Sequence, residues 1–267
     1  MQSTSYHEPV LLAEAVEVLI SDPNGVYIDG TLGGGGHSTE ILKSLSQSGK
    51  VFGIDQDDDA LRTATSRIND NRFKAVKGNF GYMDMLIPRE YRGNVAGILL
   101  DLGVSSHQID EGTRGFSFRE DGPLDMRMDS RTSKSAADVL NNYTEADLIR
   151  ILFAYGEERF SRKIANAIVN RRPLNTTSDL KKAVEAAVKG PHVVKSLARV
   201  FQAIRIEVNK EIEVLEMVLK KSVEMLAPGG RLVVISYHSL EDRPVKNFMR
   251  SGNLEGIIEK DFYGHDI

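Results

Sequence analysis

The chain has 267 residues, 41% hydrophobic and 27% charged, the proportions of an ordinary globular protein long enough for one large domain or a domain carrying an insertion. No apolar run approaches the ~20 residues that cross a bilayer, and MQSTSYHEPV lacks the basic start and apolar centre of a signal peptide, so a cytoplasmic location without membrane contact is expected. The absence of Cys removes disulfides, thiolate metal sites and Cys nucleophiles, while the net charge of −4 hides a basic middle: residues 112–210 carry 18 Lys+Arg against 12 Asp+Glu, the remainder 16 against 26.

In chain order, apolar runs bounded by turn residues predict strands at VYID (26–29), KVFGID (50–55), RFKAVKGN (72–79) and VAGILLDLG (95–103), with helical patterns at 38–47 and 59–68 between them. Alternating strands and helices predict a parallel sheet. Inside this run lies YIDGTLGGGGHSTEIL (27–42), with four consecutive glycines from Gly33 to Gly36. Each costs roughly 0.5–1 kcal/mol relative to Ala in packed structure, so the expectation is that a ligand approaches this bare backbone.

From Gly112 to Ser135 the chain is a long polar segment with four Arg, one Lys and no clean period, the kind of loop that is functional or disordered. Helical patterns follow: Thr144 with Asp147 opens one, a second runs through ERFSRKIANAIVNRR, and Thr177 or Ser178 is expected to cap a third. Apolar residues from Val200 to Val223 keep helical spacing until Pro228-Gly229-Gly230, after which RLVVISYH (231–238) returns to strand character, with Ser239 and Asp242 resembling a helix N-cap pair. This reading gives an α/β domain from 1–111 and 206–267, interrupted by a loop and helical insert at 112–205. Arg159, Arg162, Lys163, Arg171 and Arg172 cluster within that insert and are expected to contact a polyanion.

Three of the predicted strands carry an acid at the carboxyl edge, where ligands of open parallel sheets bind: Asp29, Asp55 and Asp101. Asp55 stands 26 residues after Asp29, about the spacing at which a second-strand acid takes a ribose hydroxyl pair. A dinucleotide pyrophosphate would not sit well beside Asp29, immediately before the glycines, whereas a cofactor with a cationic end and no phosphate would. S-adenosylmethionine has that polarity. The six His form no ligand-spaced cluster such as H-E-x-x-H, so no metal is expected.

The stretches YIDGTLGGGGHS, DLGVSSHQID, RGFSF, DGPLDMRMD, YGEERF, FQAIRIEVN and LAPGGRLVVISYHSLEDR, spread over residues 7–250, make the chain resemble the MraW-type ribosomal RNA small-subunit methyltransferases. The resemblance implies a class I, Rossmann-like S-adenosylmethionine-dependent methyltransferase domain with an inserted helical domain, acting on N4 of a cytosine in the decoding region of small-subunit ribosomal RNA. Small-subunit ribosomal RNA is the expected partner, with free RNA and an assembling small subunit both open as its form, and monomer and homodimer likewise open. The cofactor site it implies is Gly35, Gly36 and His37 at the turn, Asp55 on the ribose, Phe80 near the adenine, then Asp101 and Gln108. Asp101, Ser105, Ser106 and His238 are the candidate catalytic groups around the acceptor base, with Phe116 or Phe118 stacking on it and Asp125 shaping the loop. Family members continue beyond the equivalent of DFYGHDI into an Arg-rich tail ending in a strand, so a last antiparallel strand stays open here. Two other readings are a nicotinamide-dependent oxidoreductase and a nucleic-acid-binding module without catalysis.

Overall fold

The computed structural model describes residues 9–103, 114–258 and 260, which form two compact units, residues 1–103 with 212–267 and residues 104–211. In the first unit the chain runs α1 (Leu12–Leu19), β1 (Val26–Asp29), α2 (Gly36–Ser44), β2 (Lys50–Asp55), α3 (Asp58–Arg67), β3 (Phe73–Lys77), α4 (Met83–Leu86) and β4 (Val95–Asp101). After the second unit it returns through α10 (Glu211–Met225), β5 (Leu226–Ile235) and α11 (Ser239–Ser251).

The five strands pair in the order β3-β2-β1-β4-β5, and every pairing is parallel. Successive residues of a strand point to opposite faces, and here both faces are covered. Tyr27, Val51 and Leu99 join Ala15, Val16 and Leu19 of α1 and Ile41 and Leu42 of α2 in one apolar cluster. Ile28, Phe52, Ile98 and Leu100 join Met83 of α4, Leu215, Val218 and Leu219 of α10 and Phe248 of α11 in another. Burial on both faces explains why β1, β2 and β4 read as continuous apolar runs, whereas the edge strand β3, FKAVK, alternates. The predicted strands all exist; β5 starts earlier than expected, at Leu226, so Pro228-Gly229-Gly230 falls within the strand rather than ahead of it.

The second unit contains α5 (Ala136–Asn142), α6 (Glu145–Ala154), α7 (Ser161–Val169), α8 (Thr177–Ala187) and α9 (Val193–Asn209). Its apolar core is drawn from residues 124–208. Thr144 caps α6 through the Asp147 amide as expected. The cap of α8 is Thr176, one residue before the predicted pair, in a reciprocal box with Asp179; the Thr177 hydroxyl instead donates to the Glu120 carbonyl and accepts from the Gly122 amide. The single long helix suggested by apolar spacing from Val200 to Val223 is two, because Lys210 adopts a left-handed conformation (φ +54°) between α9 and α10.

The described part of the polar segment, residues 114–135, is ordered by hydrogen bonds within the segment and to α9. The Asn209 side chain accepts from the Met128 amide at 2.8 Å and donates to the Met126 and Arg205 carbonyls at 2.8 and 2.9 Å. Asp125 pairs with Arg127 at 2.7 Å, and Leu124 and Met126 are buried in the core. Burial raises the Asp125 carboxyl but the Arg127 bonds outweigh it, leaving it below the usual carboxylate range. Asp125 thus shapes the loop. Phe116 and Phe118, both partly buried, pack against the unit's core, Phe118 edge-on to Phe201 at 5.5 Å, which gives each an anchoring contact.

Candidate active site

Asp29, Asp55 and Asp101 are the last residues of β1, β2 and β4, three adjacent strands of the sheet. The strand order reverses at β1, with β2 on one side and β4 on the other, and in open α/β sheets that switch point is where ligands bind. The fold therefore gathers carboxylates that lie 26 and 46 residues apart along the chain.

Each carboxylate is held differently. Asp29 is fully buried, accepting from the Ser38 hydroxyl at 2.7 Å and the Thr31 amide at 3.2 Å. Burial raises its carboxyl above the ordinary range, against the opposing pull of the Ser38 bond and His37. Asp55 accepts from the Gly33 amide and the Asp57 amide, both at 2.9 Å. Burial outweighs those bonds and, with Asp57 and Asp29 adding repulsion, pushes Asp55 up to about 6. The Asp101 amide donates to the Thr31 hydroxyl at 2.7 Å, and its carboxylate accepts from the Tyr237 phenol at 2.9 Å. Burial raises Asp101 as well, with Asp29 and Glu241 adding to the rise and the Tyr237 bond and His37 opposing it.

His37, in the first turn of α2, places Nδ1 3.9 Å from Asp101 Oδ2, while its buried Nε2 has no hydrogen-bond partner among the described residues. His238 ends the connection from β5 at the N-cap of α11, makes no side-chain cap bond, and has Nε2 3.2 Å from the buried Glu241 carboxylate. The expected Ser239 and Asp242 cap pair does not form. Glu241 instead accepts from the Tyr237 amide at 2.9 Å, fixing the approach to the helix.

The glycines divide by cause. A Cβ on Gly35 (φ +77°) would lie 2.8 Å from Ile68 Cδ1, and one on Gly36 would lie 2.3 Å from Pro9 Cγ, so these two are bare because protein packs against them. Gly33 (φ +48°) meets nothing nearer than 3.9 Å, and its amide is the donor that orients Asp55. A ligand's approach is thus a sufficient reason for bareness at Gly33 alone of these three. Phe80 follows β3 and lies beside Gly30, whose Cβ would stand 3.3 Å from Phe80 Cβ. Ser105, Ser106 and Gln108 lie outside the described residues.

In the second unit, Arg159, Arg162, Lys163 and Arg171 are exposed, on and beside α7. Arg172 does not belong with them: it is half-buried and donates to the Leu140 carbonyl at 2.8 Å and the Tyr143 carbonyl at 2.5 Å, satisfying the end of α5. Sequence reasoning missed Thr31, Ser38, Tyr237 and Glu241. The first two sit in the glycine stretch itself, and the last two flank His238 in ISYHSLED.

The donors and acceptors suit S-adenosylmethionine. Asp55 offers a carboxylate steadied by two backbone amides for a ribose hydroxyl pair, and the grouping of Asp29, Asp55 and Asp101, each raised by burial, favours a positive charge over a pyrophosphate. A parallel sheet wound in this order with such an acidic edge defines a class I S-adenosylmethionine-dependent methyltransferase. More narrowly, the chain belongs to the MraW methylase family, which matches it over residues 4–262. Curated relatives named ribosomal RNA small subunit methyltransferase H are similar along nearly the whole chain. The one from Chlorobium phaeovibrioides is 55% identical over 92% of this chain and 80% of its own length. That from Carboxydothermus hydrogenoformans is 51% identical over 96% and 84%, and that from Bacteroides fragilis strain YCH46 48% over 99% and 87%. No helix among the described residues is long and apolar enough to cross a membrane.

Proposed function

We propose that this chain methylates small-subunit ribosomal RNA in the cytoplasm, at N4 of a cytosine in the decoding region, with the assembling small subunit as its substrate particle. The observation that carries the reading is the Asp101 carboxylate, poised by burial toward higher proton affinity at the sheet edge beside the acids assigned to the cofactor. When bound, S-adenosylmethionine supplies an electrophilic methyl group. Asp55 would hold the ribose, its carboxylate kept aligned by the Gly33 amide, and Phe80 would lie on the adenine side. Gly35, Gly36 and His37 form the turn and first helical positions beside it.

Most of the catalysis is positioning, because methyl transfer is an in-line displacement. Cytosine N4 is a poor nucleophile, with its lone pair delocalised into the ring. As nitrogen gains the methyl group it sheds one proton, and a carboxylate with raised proton affinity is suited to accept it. Asp101 is assigned that task, with Ser105, Ser106 and His238 as polar groups around the base. Methylation at C5 of cytosine ordinarily needs a Cys nucleophile; the chain has none, which leaves a heteroatom as the acceptor. Arg159, Arg162, Lys163 and Arg171 are assigned to phosphates of the RNA, whose base must leave its stack to be modified.

The test is transfer of labelled methyl from S-adenosylmethionine to small-subunit particles lacking the modification, followed by mass mapping. One methyl group on a cytosine N4 is expected, and none with Asp101→Ala. Label on another atom overturns the target, and near wild-type kcat for D101A overturns the role of Asp101.

A further inference from the structure

Among the described residues, Tyr237 is the one side chain that donates a hydrogen bond to the Asp101 carboxylate, and it lies outside the assigned set. The residue is 54% exposed, two positions beyond the end of β5, yet its hydroxyl is committed to Asp101 Oδ1 at 2.9 Å. Three features keep it there. β5 pairs with β4 so that Asp101 registers with Ile235, two residues before the tyrosine. The Tyr237 amide is held by Glu241 Oε2 at 2.9 Å, and Glu241 is itself buried in the first turn of α11. Gly103, at φ +100°, lies against the ring: a Cβ on it would stand 3.4 Å from Tyr237 Cδ2. A side chain exposed on its face but restrained at its backbone and at its tip is arranged for what the tip does.

We propose that Tyr237 is a positioning residue for the transfer reaction, donating its phenolic hydrogen to one oxygen of Asp101 so that the other oxygen, on the His37 side, is the one presented to the acceptor amine. This rests on the reading of Asp101 as the proton acceptor. The phenol does two things. It fixes the rotation of the carboxylate, since Oδ1 faces Tyr237 and Oδ2 faces His37 Nδ1 at 3.9 Å. It also tempers the proton affinity that burial gives Asp101, being the first of the groups that oppose the rise. Tyr237 stays protonated in this role: burial and the neighbouring Asp101 and Glu241 carboxylates push its phenol above the ordinary tyrosine range, so it remains a donor through neutral pH. The groups facing Asp101 are Asp29 from β1, His37 from α2, Tyr237 after β5 and Glu241 from α11, and of these only Tyr237 donates a hydrogen bond to its carboxylate among the described residues.

The experiment compares the full chain with Tyr237→Phe and Tyr237→Ala. Two readouts are used: kcat and KM for small-subunit particles against pH, and the titration of the Asp101 side-chain carbon by NMR without substrate. In both variants the Asp101 titration and the acidic limb of kcat move to higher pH, and kcat at its plateau falls about ten-fold, as for loss of a hydrogen bond to a charged group, with KM little changed. An unchanged Asp101 titration in Y237F overturns the proposal, as does a shift confined to Y237A, which would assign the effect to the bulk of the ring. Because the titration needs no substrate, it decides the point even if wild-type protein fails to methylate the particles, a result that would instead overturn the proposed function.

Discussion

On its assignment to the ribose, Asp55 should make cofactor binding dependent on pH in a way that a single substitution removes. Its carboxyl is pushed to about 6 from an ordinary 3.8, chiefly by burial. Ribose hydroxyls donate to the ionised form, so binding selects the carboxylate and weakens as protons compete. With one such group, affinity for S-adenosylmethionine should be ~2-fold weaker at pH 6 and ~10-fold weaker at pH 5 than at pH 8, following the ionised fraction. The ligand-free protein should show the opposite trend. A folded-state pKa above the unfolded value means that this group's stabilising contribution is full below pH 3.8 and is lost as pH rises through about 6. Measured against Asp55→Asn, wild-type stability should therefore decline by on the order of 2–3 kcal/mol between pH 4 and 7, the energy of a two-unit shift. Titration calorimetry across pH 5–8 and urea unfolding across pH 4–7, each on both proteins, measure the two trends. If D55N retains the same loss of affinity on acidification, another group senses the protons and the ribose assignment fails.

Gly35→Ala should destabilise the first unit by about 2–3 kcal/mol in urea unfolding, combining the left-handed backbone cost with crowding against Ile68. Asn209→Ala removes the bonds to Met126, Met128 and Arg205 and should cost about 2–3 kcal/mol, with faster amide exchange in residues 114–135 as its local signature. Charge reversal at Arg162, Lys163 and Arg171 together should weaken RNA binding and flatten its salt dependence while leaving cofactor affinity unchanged. Reversal at Arg172 should lower the melting temperature instead, because its guanidinium holds the end of α5.

What the sequence revealed and what it withheld follow from the range of the interactions. Strands buried on both faces show as unbroken apolar runs, and an acid closing such a run is visible without knowing its neighbours; Asp29, Asp55 and Asp101 were legible for that reason. Tyr237 and Glu241 were not, since their meaning depends on β5 lying beside β4, a pairing between segments more than 120 residues apart. The break at Lys210 escaped notice because apolar spacing continues through it and only one backbone angle changes. Gly35 and Gly36 misled in the other direction: a poly-Gly run advertises close approach but not whether ligand or protein makes it. Arg172 shows the same limit for charge, being indistinguishable in sequence from Arg171 beside it, yet turned onto carbonyls.

The place where the helical unit interrupts the sheet shapes how the protein is made. β4 pairs with β1 on one edge and β5 on the other, but residues 104–211 are synthesised between them. Until translation reaches Leu226, β4 is therefore a boundary strand with one row of amides and carbonyls open to foreign chains, the hazard such edges carry. Helices whose apolar core comes from residues 124–208 can collapse as soon as they emerge, drawing the ends of that long intervening loop together and reducing the entropy that closing β5 onto β4 must overcome. An insert that folds in the nascent chain should thus act as a clasp that shortens the search for the final strand.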